Sequence, residues 1–265
     1  MRHLVEPGTR VVLSKIATDS IGDYANKEDG EGKLVKDVER LADLQERLYA
    51  ENRRAVLIVL QAMDTGGKDG TIKHVMSGCN PTGCVVTSFK VPSEEERDHD
   101  YLWRVHRAIP NFGNIGIFNR SHYEDVLVVR VHNLVPERVW RPRYEQINRF
   151  EEFLVDNGVT ILKFFLHISK DEQKRRLEAR LDDKEKLWKF TASDIAERKL
   201  WDQYQQAYED ALSLTSTRHA PWFVIPADRK WYRNLAVARV IVRTLEEMDP
   251  RPPSSNLDAA HVTIS

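Results

Sequence analysis

Five short apolar runs punctuate an otherwise polar chain: Ala55 to Leu60, Cys84 to Phe89, Ile115 to Phe118, Ile161 to Ile168 and Trp222 to Ile225. Each has the length of a strand and is rich in β-branched or aromatic residues, and the long segments between them carry helical spacing. Runs that are apolar on both faces and alternate with helices belong in a buried parallel sheet of βα units, since an antiparallel sandwich would leave one face polar. The pattern predicts an α/β fold of three layers with a parallel five-stranded sheet.

Helix signals agree with that placement. Ser93-Glu94-Glu95-Glu96 after Pro92 is a capping box that predicts a helix through about Ala108, stopped by Pro110. Ser169-Lys170-Asp171-Glu172 repeats the signature directly after the fourth run. Leu34, Val38, Leu41, Leu44 and Leu48 recur at intervals of three and four, which predicts a long amphipathic packing helix from about Glu28 to Ala50. No linker or repeat interrupts the chain from Ala55 to Met248, so residues 1–265 read as one domain. It has an N-terminal helical extension over about 1–54, a helical insertion over about 170–215 and an irregular tail over about 249–265. Pro250, Pro252 and Pro253 forbid a continued helix in that tail, which is expected to wrap the surface or pack on another subunit.

Composition narrows the function. The 265 residues are 41% hydrophobic and 31% charged, as in a soluble globular protein. Lys plus Arg number 40 against 41 Asp plus Glu, so a globally basic nucleic-acid binder is excluded and any polyanion site must be local. No run approaches the roughly 18 apolar residues of a membrane span, and MRHLVEPGTR lacks the apolar core of a secretory signal; a cytoplasmic protein without membrane contact is expected. Cys79 and Cys84, spaced C-x4-C, match neither a redox pair nor half a zinc framework, and read as reduced thiols.

The decisive segment follows the first strand: Gln61-Ala62-Met63-Asp64-Thr65-Gly66-Gly67-Lys68-Asp69-Gly70-Thr71. A phosphate loop needs glycines so that backbone N–H groups can turn to the anion, a Lys for the terminal phosphates and a helix N-terminus beneath them. Gly66, Gly67, Gly70 and Lys68 supply these parts. Ala62 stands where the usual pattern has its first Gly, and Asp69 where it has the hydroxyl that binds Mg²⁺. Asp69 is therefore expected to cap or order the loop, leaving Asp64 as the first carboxylate for the metal. The plain alternative is a Gly-rich turn with a solvated Lys68.

The third run ends in Phe118-Asn119-Arg120-Ser121-His122-Tyr123-Glu124-Asp125, and ligands in open α/β sheets sit beyond the carboxyl ends of strands. Arg120 can clamp a phosphate, and Glu124 and Asp125 can offer oxygens to Mg²⁺; the alternative is an exposed loop with a local ion pair. Arg176 and Arg180 lie at i, i+4 on one helix face, with Lys186 and Lys189 following. A solvated helix would explain them, but phosphoryl-transfer proteins of this architecture place a mobile lid here, and Arg180 is the foremost lid candidate. Lys90, Arg104, Arg107 and Arg130 are further basic candidates, each alone more often a surface charge. His122 is closest to the presumed site and reads as a hydrogen-bonding group before a phosphorylated one.

Taken together, these segments resemble the polyphosphate kinase 2 family. The resemblance rests on Gln61-Ala62-x-Asp64-x-x-Gly67-Lys68-Asp69-Gly70, Phe118-Asn119-Arg120-Ser121-x-Tyr123-Glu124-Asp125, Trp188-Lys189-Phe190, Ala220-Pro221-Trp222 and Pro226-Ala227-Asp228-Arg229-Lys230-Trp231-Tyr232. It implies a P-loop kinase core with a helical lid, phosphoryl transfer between inorganic polyphosphate and adenine or guanine nucleotides, dependence on Mg²⁺ or Mn²⁺, and a homodimer or homotetramer. Carried over by matched position, Asp64 and Lys68 handle phosphate with Arg120 as clamp and Arg180 as lid arginine. Many members have Asp where this chain has Asn119, so the metal role shifts to Asp64 with Glu124 and Asp125, while Asn119, Arg120 and Glu124 face the nucleotide. The phosphate chain would lie along Gly66, Gly67, Lys68, Asp69, Gly70, Lys90, Arg130, Arg176 and Lys189. The Tyr-Glu-Asp version resembles the subgroup acting on both AMP and ADP. Two competing readings are an ATP-dependent nucleoside monophosphate kinase, disfavoured by Asp69 and the basic lid, and a binding protein without turnover.

Overall fold

A computed structural model describes residues 2–185, 187–190 and 192–254. Residues 2–26 precede the helix expected in the N-terminal extension. They form an irregular arm with one 3-10 turn, Leu13–Lys15, that lies against the sheet edge: Val5 N–H donates to Trp222 O (2.8 Å) and Val224 N–H to His3 O (2.9 Å). Helix α1 then runs Lys27–Glu51, capped by the Asn26 side chain, which accepts from Asp29 N–H, and it ends on Asn52 in the left-handed conformation. Leu41, Leu44 and Leu48 are buried, as their spacing predicts.

The remaining elements alternate. They are β1 Ala55–Ala62, α2 Lys68–Val75, β2 Cys84–Ser88, the short α3 Glu94–Arg97 and α4 Trp103–Arg107, and β3 Ile115–Asn119. A 3-10 turn His122–Asp125 leads to α5 Val128–Val131, α6 Glu137–Trp140, α7 Arg143–Asp156, β4 Val159–His167, α8 Lys170–Asp182, α9 Ala192–Lys199, α10 Trp201–Thr215, β5 Trp222–Pro226 and α11 Lys230–Met248. The capping box at Ser93 is present in both directions, but the helix it opens stops at Arg97. Asp100 accepts from Leu102 N–H, a local turn that competes with the helix and splits the expected span in two. Ser169 caps α8 by accepting from Glu172 N–H, while the Glu172 carboxylate turns to Arg175 and Arg176.

All five strands are parallel, in the order β2-β3-β1-β4-β5. β1 is central and buried at every position, paired from Val56↔Ile115 on one side and Ala55↔Val159 on the other. β2 forms the edge and is largely exposed, which is why its run reads less purely apolar. Helices α1, α2 and α11 cover one face, and α5, α7 and α10 the other. The connection leaving β1 goes to one edge and that leaving β4 to the other, so a crevice opens at their carboxyl ends. No described helix is long and apolar enough to cross a membrane.

Gly116 in β3 shows how tightly this sheet is covered. A Cβ there would lie 2.8 Å from the Pro110 ring. Gly116→Ala should therefore destabilise the fold by about 1–3 kcal/mol in urea unfolding, although alanine alone would favour the strand. An unchanged or raised midpoint would show that the Pro110 segment yields.

Candidate active site

The loop leaving β1 is shaped by two left-handed residues, Thr65 (φ +61°) and Gly67 (φ +99°). Gly66 N–H donates to Met63 O (2.9 Å), and a Cβ on Gly66 would fall 2.4 Å from the Ala62 methyl, so the close turn requires glycine there. Gly67 caps α2 without a side chain. The first-turn N–H groups of Lys68, Asp69 and Gly70 precede the first helical bond, Thr71 N–H to Gly67 O, and stand at the positive end of the helix. They are donors awaiting an anion.

The loop is braced by side chains of two helices, α8 and α10. Gln173 Nε2 donates to Asp64 O (3.0 Å), Arg176 Nη1 to Thr65 O (3.1 Å) and the Tyr208 hydroxyl to Ala62 O (2.9 Å). Asn119 Nδ2 donates to Asp69 Oδ1 (2.7 Å), which ties the end of β3 to the start of α2 and gives Asp69 the ordering role expected of it.

These elements enclose a cleft of about 1050 Å³. Eight Lys and Arg side chains line it against three carboxylates, Asp64, Asp69 and Glu172. Lys68 sits deepest. Burial and then the nearby Arg120 push its ammonium pKa down, against the pull of Glu124, Asp64 and Asp69. Arg120 takes a left-handed conformation (φ +62°) with its N–H on Leu60 O, and its side chain stays exposed to the cleft. Lys90 lines the wall at the end of β2, and Arg180 the opposite wall on α8. Among the described residues neither Arg120 nor Arg180 has an ion-pair partner. Asp64 Oδ2 and Thr65 Oγ1 are buried without a hydrogen-bond partner.

Several expected residues have other work. Arg176 lines the cleft, but its guanidinium is a brace, bonded to Glu172, Thr65 O and Ala227 O. Arg130 is not in the cleft: it pairs with Asp210 (2.7 Å) and lies over the Trp140 ring. Asp125 is turned away to Arg143 (3.2 Å), because the tight 3-10 turn sends neighbouring side chains in different directions. Glu124 stands behind the cleft wall, close enough to act on Lys68 and on Tyr204 and Tyr208. Arg104 is buried, donating to Lys90 O, and His122 is buried against Glu151, which removes it from any surface chemistry. Trp188 lines the cleft; the Lys189 side chain and Lys186 lie outside the described residues.

The chief residue missed is Arg233. It is 2% exposed, bonds through Nε and Nη2 to Asn234 Oδ1, and has no carboxylate partner among the described residues. Burial, with Arg176 beside it, lowers its pKa to about 10. It packs against the loop so closely that a Cβ on Gly67 would come within 1.9 Å of Nη1. The available signal was a first turn of α11 without an acid, where cations run against the helix dipole unless an anion sits nearby.

A family model for polyphosphate kinase 2 matches residues 24–253. The chain belongs to the polyphosphate kinase 2 family. It is 52% identical over 264 residues to an AMP/ADP-polyphosphate phosphotransferase of Meiothermus ruber, covering 99% of each chain. It is also 49% identical over 263 residues to an ADP-polyphosphate phosphotransferase of Rhodopseudomonas palustris, covering 95% of this chain and 91% of that one. Its fold superposes on a crystal structure of polyphosphate kinase 2 from Arthrobacter aurescens with a TM-score of 0.92 at 44% identity, over 96% of this chain and 91% of that one. The α/β fold expected from the strand pattern is thus that of the family.

A buried cation without a counter-charge costs stability that only an anion restores. Arg233→Met should raise the free energy of unfolding in phosphate-free buffer by about 1 kcal/mol or more, with a higher midpoint, and weaken tripolyphosphate binding at least tenfold in calorimetry. A lowered midpoint with unchanged affinity would make Arg233 a packing residue.

Proposed function

We propose that this protein transfers phosphoryl groups between inorganic polyphosphate and adenine nucleotides, acting on both ADP and AMP. The observation that carries the reading is the cleft itself: a preformed amide cradle at the start of α2 beside Lys68, lined by eight Lys and Arg side chains against three carboxylates. A chain of phosphates supplies the missing negative charge along its whole length, which explains how a chain of net charge −1 holds a polyanion. The names of the relatives support the same substrates.

The terminal phosphate of the donor lies on the loop N–H groups and Lys68; its bond to the bridging oxygen breaks, the donor leaves one phosphate shorter, and the new bond forms to a terminal oxygen of the acceptor attacking in line. That oxygen is already ionised, so no general base is required, and the work is positioning and neutralisation by Lys68, Arg120 and Arg180. Arg180, on the exposed part of α8, reaches the transferred group as the segment after it closes. Helix α10, by contrast, is buried along one face, which supports a lid shorter than the 170–215 insertion. Mg²⁺ fits the site: Asp64 Oδ2 is buried and unpartnered. Mg²⁺ in phosphoryl-transfer sites is commonly held by one or two carboxylates together with substrate phosphates. Asp64 would hold it with Glu124 in support, and when bound it would neutralise charge on the transferred group; Mn²⁺ could take its place. We extend the reading to a cytoplasmic homodimer or homotetramer, supported by the uncharged, exposed edge of β2 at Val85 and Val86.

The test is nucleotide conversion by the purified protein with Mg²⁺ and long-chain polyphosphate, with AMP and ADP supplied separately and products resolved by chromatography. ADP from AMP and ATP from ADP are expected. Conversion only with ATP as donor would replace the reading by a nucleoside monophosphate kinase, and binding without conversion by a regulator. Asp64→Asn and Lys68→Ala should each lower kcat by roughly 10²-fold or more with the fold intact; Arg180→Ala should lower kcat more than it raises KM.

A further inference from the structure

Behind the cleft wall lies a closed polar cluster that the transfer chemistry does not use. Lys163, in the middle of β4, is completely buried, and its ammonium has three acceptors: Glu151 Oε2 (2.5 Å), the Tyr123 hydroxyl (2.9 Å) and Thr215 O (2.7 Å). Glu151, on α7, is equally buried and its other oxygen lies 2.9 Å from the Tyr123 hydroxyl and 3.2 Å from His122 Nε2. Thr215, the last residue of α10, accepts from Trp222 Nε1 and lies 3.0 Å from the Tyr123 hydroxyl. Four elements and the turn after β3 therefore meet on one buried ion pair.

What the cluster holds is the segment that enters the cleft. His122 and Tyr123 are its two anchors, both 1% exposed or less, and both land on Glu151. Two residues before this pair Arg120 adopts its left-handed backbone, and directly after it comes Glu124, which acts on Lys68. A non-glycine residue in that conformation persists only where its surroundings over-determine it. Apolar side chains of similar volume could fill the same space with equal or greater stability, so stability alone does not account for a buried Lys–Glu pair.

We infer that Lys163, Glu151 and Tyr123 are positioning residues for the phosphoryl transfer, fixing the turn so that Arg120 and Glu124 stay aligned with the phosphate loop. The inference rests on the proposed transfer only for its kinetic readout. The test uses two variants of the full chain, Tyr123→Phe, which keeps the ion pair, and the double variant Lys163→Met/Glu151→Leu, which removes both charges together. Each is measured for kcat and KM with polyphosphate and ADP, and by hydrogen exchange over residues 119–126. A displaced turn should lower kcat on the order of 10-fold or more with KM within about twofold, since small misplacement of a clamp costs the transition state first. Exchange over 119–126 should rise in both variants while the unfolding midpoint holds. Wild-type kcat in either folded variant overturns the inference, as does wild-type exchange in both. If Tyr123→Phe fails to fold, the double variant decides alone. A wild-type protein without polyphosphate activity would defeat the proposed transfer instead, and the exchange measurement would still decide whether the cluster holds the turn.

Discussion

The phosphate loop must keep its amide groups open toward an anion before the anion arrives, and most of the surrounding structure serves that constraint. An unfilled cradle of donors would relax by turning inward onto its own carbonyls. Here those carbonyls are already taken: Asp64 O by Gln173, Thr65 O by Arg176 and Ala62 O by Tyr208. The braces come from α8 and α10, on two different sides of the loop, and β1 beneath is held by parallel partners on both edges. Thr65 can therefore stay left-handed without being glycine.

The same constraint explains the charge distribution. A protein with balanced charge concentrates cations in one cleft by pairing the others elsewhere: Arg130 with Asp210, Arg143 with Asp125, Arg239 with Asp37. Arg233 and Arg120 have no carboxylate of their own among the described residues, and Lys68 is desolvated near Arg120. For the buried Arg233 that arrangement costs stability, which a bound phosphate chain would offset.

Much of this was legible along the chain. The strand runs predict all five strands to within two residues, because strands covered on both faces by helices are predominantly apolar. Asp64, Lys68, Arg120, Lys90 and Arg180, all singled out along the chain, line one cleft, since the carboxyl ends of parallel strands converge by topology. Where the reading strayed, the cause was competition that spacing does not reveal. The Asp100 turn broke a helix with a sound cap, and the arm before Lys27 gained its backbone partners from β5, far along the chain.

The sequence by itself determined the fold class, the loop and the family, because hydrophobic period, glycine placement and motif order are local properties. Only the tertiary structure decided which charged residues are free. Asp125 sits in a motif that reads as functional and Arg130 reads as a basic candidate just after it, yet each is claimed by a partner, 18 and 80 positions away respectively. Arg233 reads as one more basic residue on a helix, yet it is buried against Gly67 with no carboxylate beside it. Pairing of charges is settled by distances of a few ångströms between remote segments, and no pattern along a single chain encodes those distances directly.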